Sequence, residues 1–297
     1  MKKLCAITSA LLLALTAAAC GQKASTSTAA NAGSGANACA VSNLHLLTPG
    51  QLTIGTDNPA YSPYFTGGPG GDWKGQYNND PYTGKGFEDA VAYAVAKQMG
   101  FSKSQVKWQV THFNQSYAPG TKPFDFYLAQ VSITPQRAKE VDFSTPYWNV
   151  NQAVVALKSD PISHATSIAD LKQYKLGTQV GTTSYDFIQN TIQPTSQPMA
   201  YPTLNNAISG LKAHQIDGIV IDLPTAFYMT AVQIPDSTIV GQFAAGSTPD
   251  HVGLVLQKGS ALTPCVDKAL AVLRGNGTLA QIQQKWLSEK ASAPVLH

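Results

Sequence analysis

The sequence contains few charged residues and no cluster of basic ones. Asp, Glu, Lys and Arg make up 12% of its 297 residues, and no run of Lys and Arg occurs. A nucleic-acid-binding surface needs such a run or patch, so we expect no nucleic-acid partner. The 43% share of hydrophobic residues predicts a globular protein, and the length suits about two domains.

Motifs for metal binding or nucleophilic catalysis are also missing from the sequence. The six histidines are scattered, and neither His-Glu-x-x-His nor Gly-x-Ser-x-Gly occurs. The four cysteines include no Cys-x-x-Cys pair, which is the usual zinc spacing. We therefore expect no metal and no cofactor.

The first residues have the pattern of an export signal. Two lysines precede an apolar stretch at 4–15, which is too short for a membrane span, and three alanines then precede Cys20. We therefore predict a signal peptide at 1–19. Cys20 resembles the lipid-modified cysteine of bacterial lipoproteins, although Ala17 stands where that motif usually has leucine.

A segment rich in Ala, Ser, Thr, Gly and Asn follows the predicted cleavage site. Such a composition cannot bury a core, so residues 20–38 are predicted to be a flexible tether. With a lipid on Cys20, the tether would hold the protein at the outer face of the cytoplasmic membrane. Without the lipid, the exported protein would be periplasmic.

Two further cysteines, Cys39 and Cys265, remain in the body of the protein. Because an exported protein enters an oxidising compartment, we predict that they form a disulfide between the start of the body and a C-terminal helix. The alternative is a pair of buried free thiols.

Strand and helix patterns alternate along the body. Strands are predicted at 52–57, 106–111, 124–133, 175–180 and 216–222, and extended runs at 148–157 and 251–257. Helices are predicted at 87–99, 168–173, 185–192, 204–213, 263–273 and 278–286. This alternation is typical of the α/β class and indicates largely parallel sheets.

The segment between the two extended runs contains its own set of strands and helices. It therefore predicts a second lobe, residues 151–251, inserted into a first lobe made of residues 39–150 and 252–297. In this arrangement the final two helices return to the first lobe, and the chain crosses between the lobes near residues 150 and 252.

Polar residues follow the predicted strand at 124–133. Ser132, Thr134 and Arg137 come at its carboxyl end, and Thr134 followed by Pro135 has the pattern of a helix start. A guanidinium, hydroxyls and free helix amides in one place suit a carboxylate. The alternative is an ordinary surface loop with a solvated arginine.

Other strand ends carry residues that would complete such a site, because open α/β sheets bind ligands outside the carboxyl ends of their strands. Asp57 ends the first strand and Tyr61 follows it. Thr182 and Thr183 open a helix, and Asp222 ends an apolar strand. Tyr61, Phe113 and Tyr147 are candidate aromatic walls. A carboxylate at Arg137 and an ammonium at Asp222 would make this a site for a small zwitterion, although each residue alone is also compatible with a helix cap or a turn.

These segments, in their order along the chain, resemble a known family. The matching stretches are IGTD at 54–57, GFED at 86–89, SITPQR at 132–137, FSTPY at 143–147, GTT at 181–183, IDGIVID at 216–222 and GTLAQIQQKW at 277–286. They are similar to those of family 3 extracellular solute-binding proteins, which bind polar amino acids for bacterial ATP-binding cassette (ABC) importers.

The resemblance implies a type II periplasmic-binding-protein fold, with two lobes that close by hinge motion on a ligand between them. It also implies roles for the residues named above. Arg137 would hold the ligand carboxylate with Ser132 and with Thr182 or Thr183. Asp222 would hold the α-ammonium. Asp57 and Tyr61 would contact the ligand side chain.

The implied function is that of a monomeric, non-enzymatic binding protein that delivers a free amino acid to membrane permease subunits. Two alternatives stay open: an enzyme of the cyclohexadienyl or arogenate dehydratase type on the same fold, and a protein that presents its ligand to a sensor. The chain departs from the family at residues 66–85, at 114–126 and at Gln130. These departures fall near the side-chain pocket, so they leave the identity of the amino acid open.

Overall fold

The structure is a computed structural model that describes residues 38–243, 250–287 and 293–297. The predicted signal peptide, the candidate lipid site Cys20 and nearly all of the predicted tether lie outside these residues. Within the described residues, no helix is long and apolar enough to cross a membrane.

The described chain forms helices and strands in mixed order. The strands are β1 (Leu52–Thr56), β2 (Val106–Val110), β3 (Phe126–Tyr127), β4 (Val141–Phe143), β5 (Trp148–Val150), β6 (Gln152–Leu157), β7 (Leu176–Gln179), β8 (Met199–Tyr201), β9 (Gly218–Asp222), β10 (Ser237–Phe243), β11 (Asp250–Val252), β12 (Val255–Gln257) and β13 (Val295–Leu296). The α-helices are α1 (Phe87–Gln98), α2 (Phe113–Ser116), α3 (Arg137–Glu140), α4 (Ile168–Leu171), α5 (Thr183–Phe187), α6 (Leu204–Lys212), α7 (Leu223–Tyr228), α8 (Thr263–Gly275) and α9 (Thr278–Leu287).

The first sheet has the strand order β2-β1-β3-β12-β4. Helices α1, α8 and α9 pack together beside this sheet. In α1, the 3.6-residue repeat places Phe87, Val91 and Val95 on one face, which is buried. Gly86 precedes α1 at φ +117°, and a Cβ there would lie 2.2 Å from the Tyr64 carbonyl oxygen, so only glycine fits. The helix start is therefore held closely against the loop that follows β1.

The second sheet has the strand order β13-β10-β6-β9-β7-β8 and is buried on both faces. Ala153 and Val155 of β6 belong to one core, and Val154 and Ala156 belong to the other. Burial of both faces is why this strand is a continuous apolar run rather than an alternating one.

Both main sheets are largely parallel, as predicted, but each contains one strand that runs against the others. Strands β2, β1 and β3 are parallel, but β12 pairs antiparallel with both β3 and β4. Strand β12 enters the first sheet on the return of the chain from the second, which reverses its direction. In the second sheet, β6 is antiparallel to both β9 and β10.

Two antiparallel strands, β5 and β11, lie where the chain passes between the two sheets. The predicted lobe boundaries stay a prediction, with one correction. The end of the chain was assigned to the first lobe, yet β13 pairs with β10 of the second sheet, Gln242 opposite Val295. The apolar pair Val295–Leu296 is too short to be recognised as a strand from the sequence, and Leu296 is 1% exposed in the core of the second sheet.

The long strand predicted at 124–133 is also a correction, since only Phe126–Tyr127 pair as a strand there. The chain is buried on either side of this pair, but its backbone turns. Gln130 has φ +51°, which ends the extended run. The helix predicted to start at Thr134–Pro135 is assigned only over Arg137–Glu140, although the Thr134 hydroxyl does accept the Arg137 amide at 3.2 Å.

Cys39 and Cys265 form a disulfide in the structure, as the sequence predicted. The bond joins the first described residues to α8, across 226 positions of sequence. It lies entirely on the side of the first sheet, away from the second.

Candidate functional site

A cavity lies between the two sheets, and the polar residues at their strand ends surround it. All of the predicted ligand-binding residues except Thr134 line it: Asp57, Tyr61, Phe113, Ser132, Arg137, Thr182, Thr183 and Asp222. Thr134 lies outside the lining, and its hydroxyl accepts the backbone amide of Arg137 at 3.2 Å. The candidate wall Tyr147 is also outside the lining.

Arg137 connects the two sides of the cavity. Its guanidinium donates to the Ser132 carbonyl at 2.7 Å and, across the cleft, to the Gly181 carbonyl at 2.8 Å. The group also lies 4.4 Å from the Tyr117 ring centroid and is only 7% exposed. Burial lowers the pKa of Arg137 from its ordinary value, while the neighbouring Tyr117 acts in the opposite direction.

The predicted carboxylate clamp is therefore present, but it is already engaged within the protein. Its two hydroxyls contact the carboxylate of Asp250, which the sequence reasoning missed. Ser132 Oγ donates to Asp250 Oδ2 at 3.1 Å, and the Thr183 hydroxyl donates to the same oxygen. Nothing in the sequence marks this aspartate, because it stands before an extended run rather than after one.

Asp222 lies beside Asp250 at the end of β9. Gln152 Nε2 donates to Asp222 Oδ1 at 2.7 Å and to Asp250 Oδ2 at 3.2 Å, so one side-chain amide connects the two carboxylates. Desolvation, followed by the charge of Asp250, raises the pKa of Asp222 to about 7. A cation placed here would favour the ionised form of Asp222 and lower that pKa again.

Asp57 and Tyr61 form the part of the cavity contributed by the loop after β1. Asp57 Oδ1 accepts the Asn58 amide at 2.7 Å and lies 3.5 Å from His112 Nδ1. Burial raises the pKa of Asp57. Among the side chains that the structure describes, the Tyr61 hydroxyl and the nearby Thr56 hydroxyl are buried in the lining without a hydrogen-bond partner. Such groups are available to a ligand.

Glu88 adjoins the cavity and binds two residues that the sequence analysis singled out, Gln130 and Tyr147. It is fully buried at the start of α1 and accepts the Gln130 amide at 2.7 Å as well as the Gln130 side-chain amide. The Tyr147 hydroxyl donates to the same carboxylate, which is why Tyr147 is not a cavity wall. Desolvation raises the pKa of Glu88 to about 7, against these hydrogen bonds.

The segment at 66–85 braces the loop that carries Asp57. Trp73 Nε1 donates to the Asp57 carbonyl at 2.8 Å. The Asn78 side chain accepts the Ala60 amide at 2.8 Å, and Asn79 donates to the Ala60 carbonyl at 2.9 Å. All three side chains of the brace are buried, at 1%, 3% and 6% exposure respectively. Residues 66–85 therefore hold this loop in place beside the cavity.

The cavity is more acidic than basic. Asp57 and Asp222 line it, and Asp250 and Glu88 adjoin it. Arg137 is the only basic side chain in the lining, counted over the described residues. The charges thus suit a ligand that carries one carboxylate and more than one positive group.

The protein has two α/β lobes, each built on one sheet, with crossing strands and a polar cavity between them. This architecture is that of a two-lobed binding protein of the type II periplasmic fold. The chain belongs to the bacterial extracellular solute-binding proteins, family 3, whose family model matches residues 73–289. The family predicted from the sequence is therefore confirmed.

Several proteins that are similar to this chain are named for the amino acid they bind. ABC transporter arginine-binding protein 1 of Escherichia coli (strain K12) is 30% identical over 214 residues, which cover 69% of this chain and 82% of the relative. The L-cystine-binding protein of the same strain is 28% identical over 204 residues, covering 68% and 73%. The structure of an ancestral arginine-binding protein bound to arginine has a TM-score of 0.64 at 27% identity, covering 80% of this chain and 98% of that one. All three are binding proteins by name.

Proposed function

We propose that this protein captures a small amino acid with a positively charged side chain and delivers it to the membrane permease of an ABC importer. One observation carries the proposal: a single cavity combines Arg137 with two acids, Asp57 and Asp222, that come from different sheets. An arginine or lysine zwitterion has one negative and two positive groups, so its charges match this set. The relatives named for arginine support the same ligand class.

Each end of the ligand has a partner in this proposal. The α-carboxylate takes the hydroxyls of Ser132 and Thr183 and the guanidinium of Arg137. The α-ammonium pairs with Asp222, and the side-chain cation pairs with Asp57, with Tyr61 and Phe113 packing on the stem between them. Because these groups come from both lobes, the ligand favours the closed state through contacts that an open cleft lacks.

The wider setting is part of the same proposal. Residues 1–19 direct export, Cys20 carries a lipid, and residues 20–38 link that lipid to a monomeric body. The first lobe of the body consists of residues 39–150 and 252–287, and the second lobe of residues 151–251. The protein works without metal or cofactor and does not bind nucleic acid. Its permease partner receives the closed, ligand-bound form.

Calorimetric titration with L-arginine, L-lysine, L-glutamine and L-cystine tests the ligand class. We expect the two cationic amino acids to bind more tightly than the neutral ones. Arg137→Ala should weaken L-arginine binding by roughly 100-fold or more, because charge-assisted hydrogen bonds to a carboxylate are lost. Arg274→Ala, which removes an exposed arginine outside the cavity, is the matched control and should leave binding unchanged.

Asp57→Asn separates the two cationic groups of the ligand. It should weaken L-arginine more than L-glutamine, because only the first loses an ion pair. Equal weakening of both, or no binding of any amino acid to the parent protein, would reject the proposed ligand class.

A second candidate, an enzyme of the dehydratase type, rests on Asp222. A carboxyl group with a pKa near neutrality in a cleft is what general acid–base catalysis requires. We propose that the group instead serves binding, since the relatives named above are binding proteins. Incubation of the protein with prephenate and with arogenate should give no aromatic product; steady turnover abolished by Asp222→Asn would favour the enzyme.

A further inference from the structure

Asp250 occupies an unusual position for a carboxylate of the protein itself. The Ser132 hydroxyl, at 3.1 Å, and the Thr183 hydroxyl both donate to its Oδ2. These are the two hydroxyls that the proposed function assigns to the carboxylate of the ligand. A bound amino acid and Asp250 therefore require the same two donors.

The placement of Asp250 also joins the two lobes. Ser132 follows the first-sheet strand β3, and Thr183 begins α5 beside the second sheet. Asp250 itself is the first residue of β11, one of the two crossing strands. With its carboxylate bonded to both hydroxyls, this side chain on the connecting strand helps to hold the ligand-free protein in the closed arrangement.

The carboxylate of Asp222 nearby weakens the contact of Asp250 with the two hydroxyls. Gln152 holds Asp250 beside Asp222, so two like charges share one amide. A ligand carboxylate provides an equivalent acceptor to the two hydroxyls and can therefore take the place of Asp250. Asp250 is half-buried, and a rotamer change about its Cα–Cβ bond turns its carboxylate toward water.

We propose that Asp250 is an internal competitor of the ligand carboxylate and thereby sets the affinity and specificity of the site. Before a ligand enters, it helps Arg137 to hold the cleft closed by accepting from Ser132 and Thr183, and a ligand carboxylate must displace it to bind. A ligand without a carboxylate leaves Asp250 in place. This inference rests on the proposed function for the identity of the competing group.

Titration of Asp250→Ala with L-arginine and with agmatine, its decarboxylated analogue, tests the competition. Removal of an internal competitor raises the fraction of protein that is competent to bind, so L-arginine should bind about tenfold more tightly than to the parent protein. Agmatine should show no such gain, because it never displaces Asp250. Asp236→Ala, which removes an exposed carboxylate of the second lobe, is the control and should change neither affinity.

Small-angle X-ray scattering of the ligand-free proteins gives a reading that needs no ligand. Asp250→Ala should have a larger radius of gyration than the parent and the control, because one of the contacts that close the cleft is gone, and saturating L-arginine should return it to the compact value. A residue that only supports the fold would lower thermal stability and affinity together, whereas Asp250→Ala is expected to open the protein and tighten its binding.

The outcomes separate this inference from the proposed function. Unchanged or weaker L-arginine binding by Asp250→Ala, an equal gain for agmatine, or an unchanged radius of gyration would each overturn the role of Asp250. If the parent protein binds no amino acid at all, the proposed function fails, and the ligand-free scattering alone then decides whether Asp250 closes the cleft.

Discussion

The two walls of the cavity are built differently. On the first-lobe side, the loop that carries Asp57 is braced by buried side chains of residues 66–85, and Gln130 is held by Glu88. On the second-lobe side, Thr183 and Asp222 line the cavity and Gln152 lies behind them, and their side-chain hydrogen bonds join them to one another, to Asp250 and to Ser184. The first wall is therefore shaped by neighbours outside the site, whereas the second is shaped by what the site contains.

This difference suggests that the two walls have different roles in ligand binding. A wall that is rigid without ligand can receive the ligand first, because little ordering is left to do on binding. A wall whose polar groups depend on the contents of the cavity responds to the charge of the ligand. The following experiments test whether stability belongs to the first wall and ligand response to the second.

The largest effect is expected from Trp73→Ala in the brace. The indole is 1% exposed, and its truncation leaves a cavity and removes the hydrogen bond to the Asp57 carbonyl. We expect a loss of about 3–5 kcal/mol in the free energy of unfolding, measured by urea denaturation. Val232→Ala removes an apolar side chain of the second lobe that is 46% exposed, and should cost less than about 0.5 kcal/mol. Similar losses for the two variants would contradict the brace.

Asp222→Asn should have the opposite effect to Trp73→Ala: a large loss of affinity with no loss of stability. We expect binding of L-arginine to weaken by about 2–4 kcal/mol in a calorimetric titration, because the α-ammonium loses its charged partner. The free energy of unfolding of the ligand-free protein at pH 8 should rise slightly, since an ionised carboxylate no longer has to be buried. Asp236→Asn, at an exposed position, serves as the control. A large loss of stability with little loss of affinity would place Asp222 with the first wall.

The pH dependence of stability compares the walls directly. Burial raises the pKa of Glu88 and of Asp222 to about 7, and that of Asp89, next to Glu88, to about 8. A carboxyl group whose pKa is higher in the folded than in the unfolded protein stabilises the fold at low pH. That stability is lost as the pH rises through the folded pKa. We expect the melting temperature of the ligand-free protein to fall by roughly 5 °C between pH 5 and pH 8.

Ligand should alter the parts of this profile that come from the acids it contacts, Asp222 and Asp57, and not the part that comes from Glu88. A bound ammonium favours ionised Asp222, so the affinity for L-arginine should increase from pH 5 to pH 8. Glu88→Gln should reduce the pH dependence of the melting temperature only in part, because the raised pKa values of Asp89 and Asp222 remain. It should keep the pH dependence of affinity, most of which Asp222→Asn should remove. If one variant lost the pH dependence of both the melting temperature and the affinity, the two walls would not be separable.

The smallest effect is expected from Asn78→Ala. It removes the acceptor for the Ala60 amide, so the free energy of unfolding should drop by about 1–2 kcal/mol. L-arginine binding should weaken by only a few fold, through a looser Asp57 loop. Asn205→Ala on the exposed face of α6 is the matched control for urea denaturation and titration. Equal affinity for the parent and Asn78→Ala would show that the brace supports the fold but does not tune the site.

Local pattern was sufficient for much of the fold. The helix at 87–99 and the strands at 52–57 and 106–111 match α1, β1 and β2 to within a residue, because an amphipathic repeat or an apolar run is enough to specify each. The strand at 124–133 was wrong because burial without regular pairing has the same apolar pattern. Strand β13 was missed because two residues contain no periodicity.

The candidate site divides in the same way. Asp57, Ser132 and Asp222 were identifiable because each stands at the end of an apolar run, and strand ends meet at one edge of a sheet. Glu88 was visible only as an acid in the first turn of a helix, where its charge suits the helix dipole, and its contact with Gln130 spans 42 positions. Gln152 stands within a buried strand, and its position in the sequence does not distinguish it from a core residue.

The sequence by itself determined the α/β class, the family, and which side chains could meet a zwitterion, since these depend on residue type and short spacing. Only the tertiary structure decided how those side chains are engaged. Arg137 donates across the cleft to Gly181, and Asp250 takes the hydroxyls of Ser132 and Thr183. The physical reason is that a hydrogen bond needs its two atoms about 3 Å apart, and residues 44 to 118 positions apart reach that distance only when both lobes and the crossing strands have folded together.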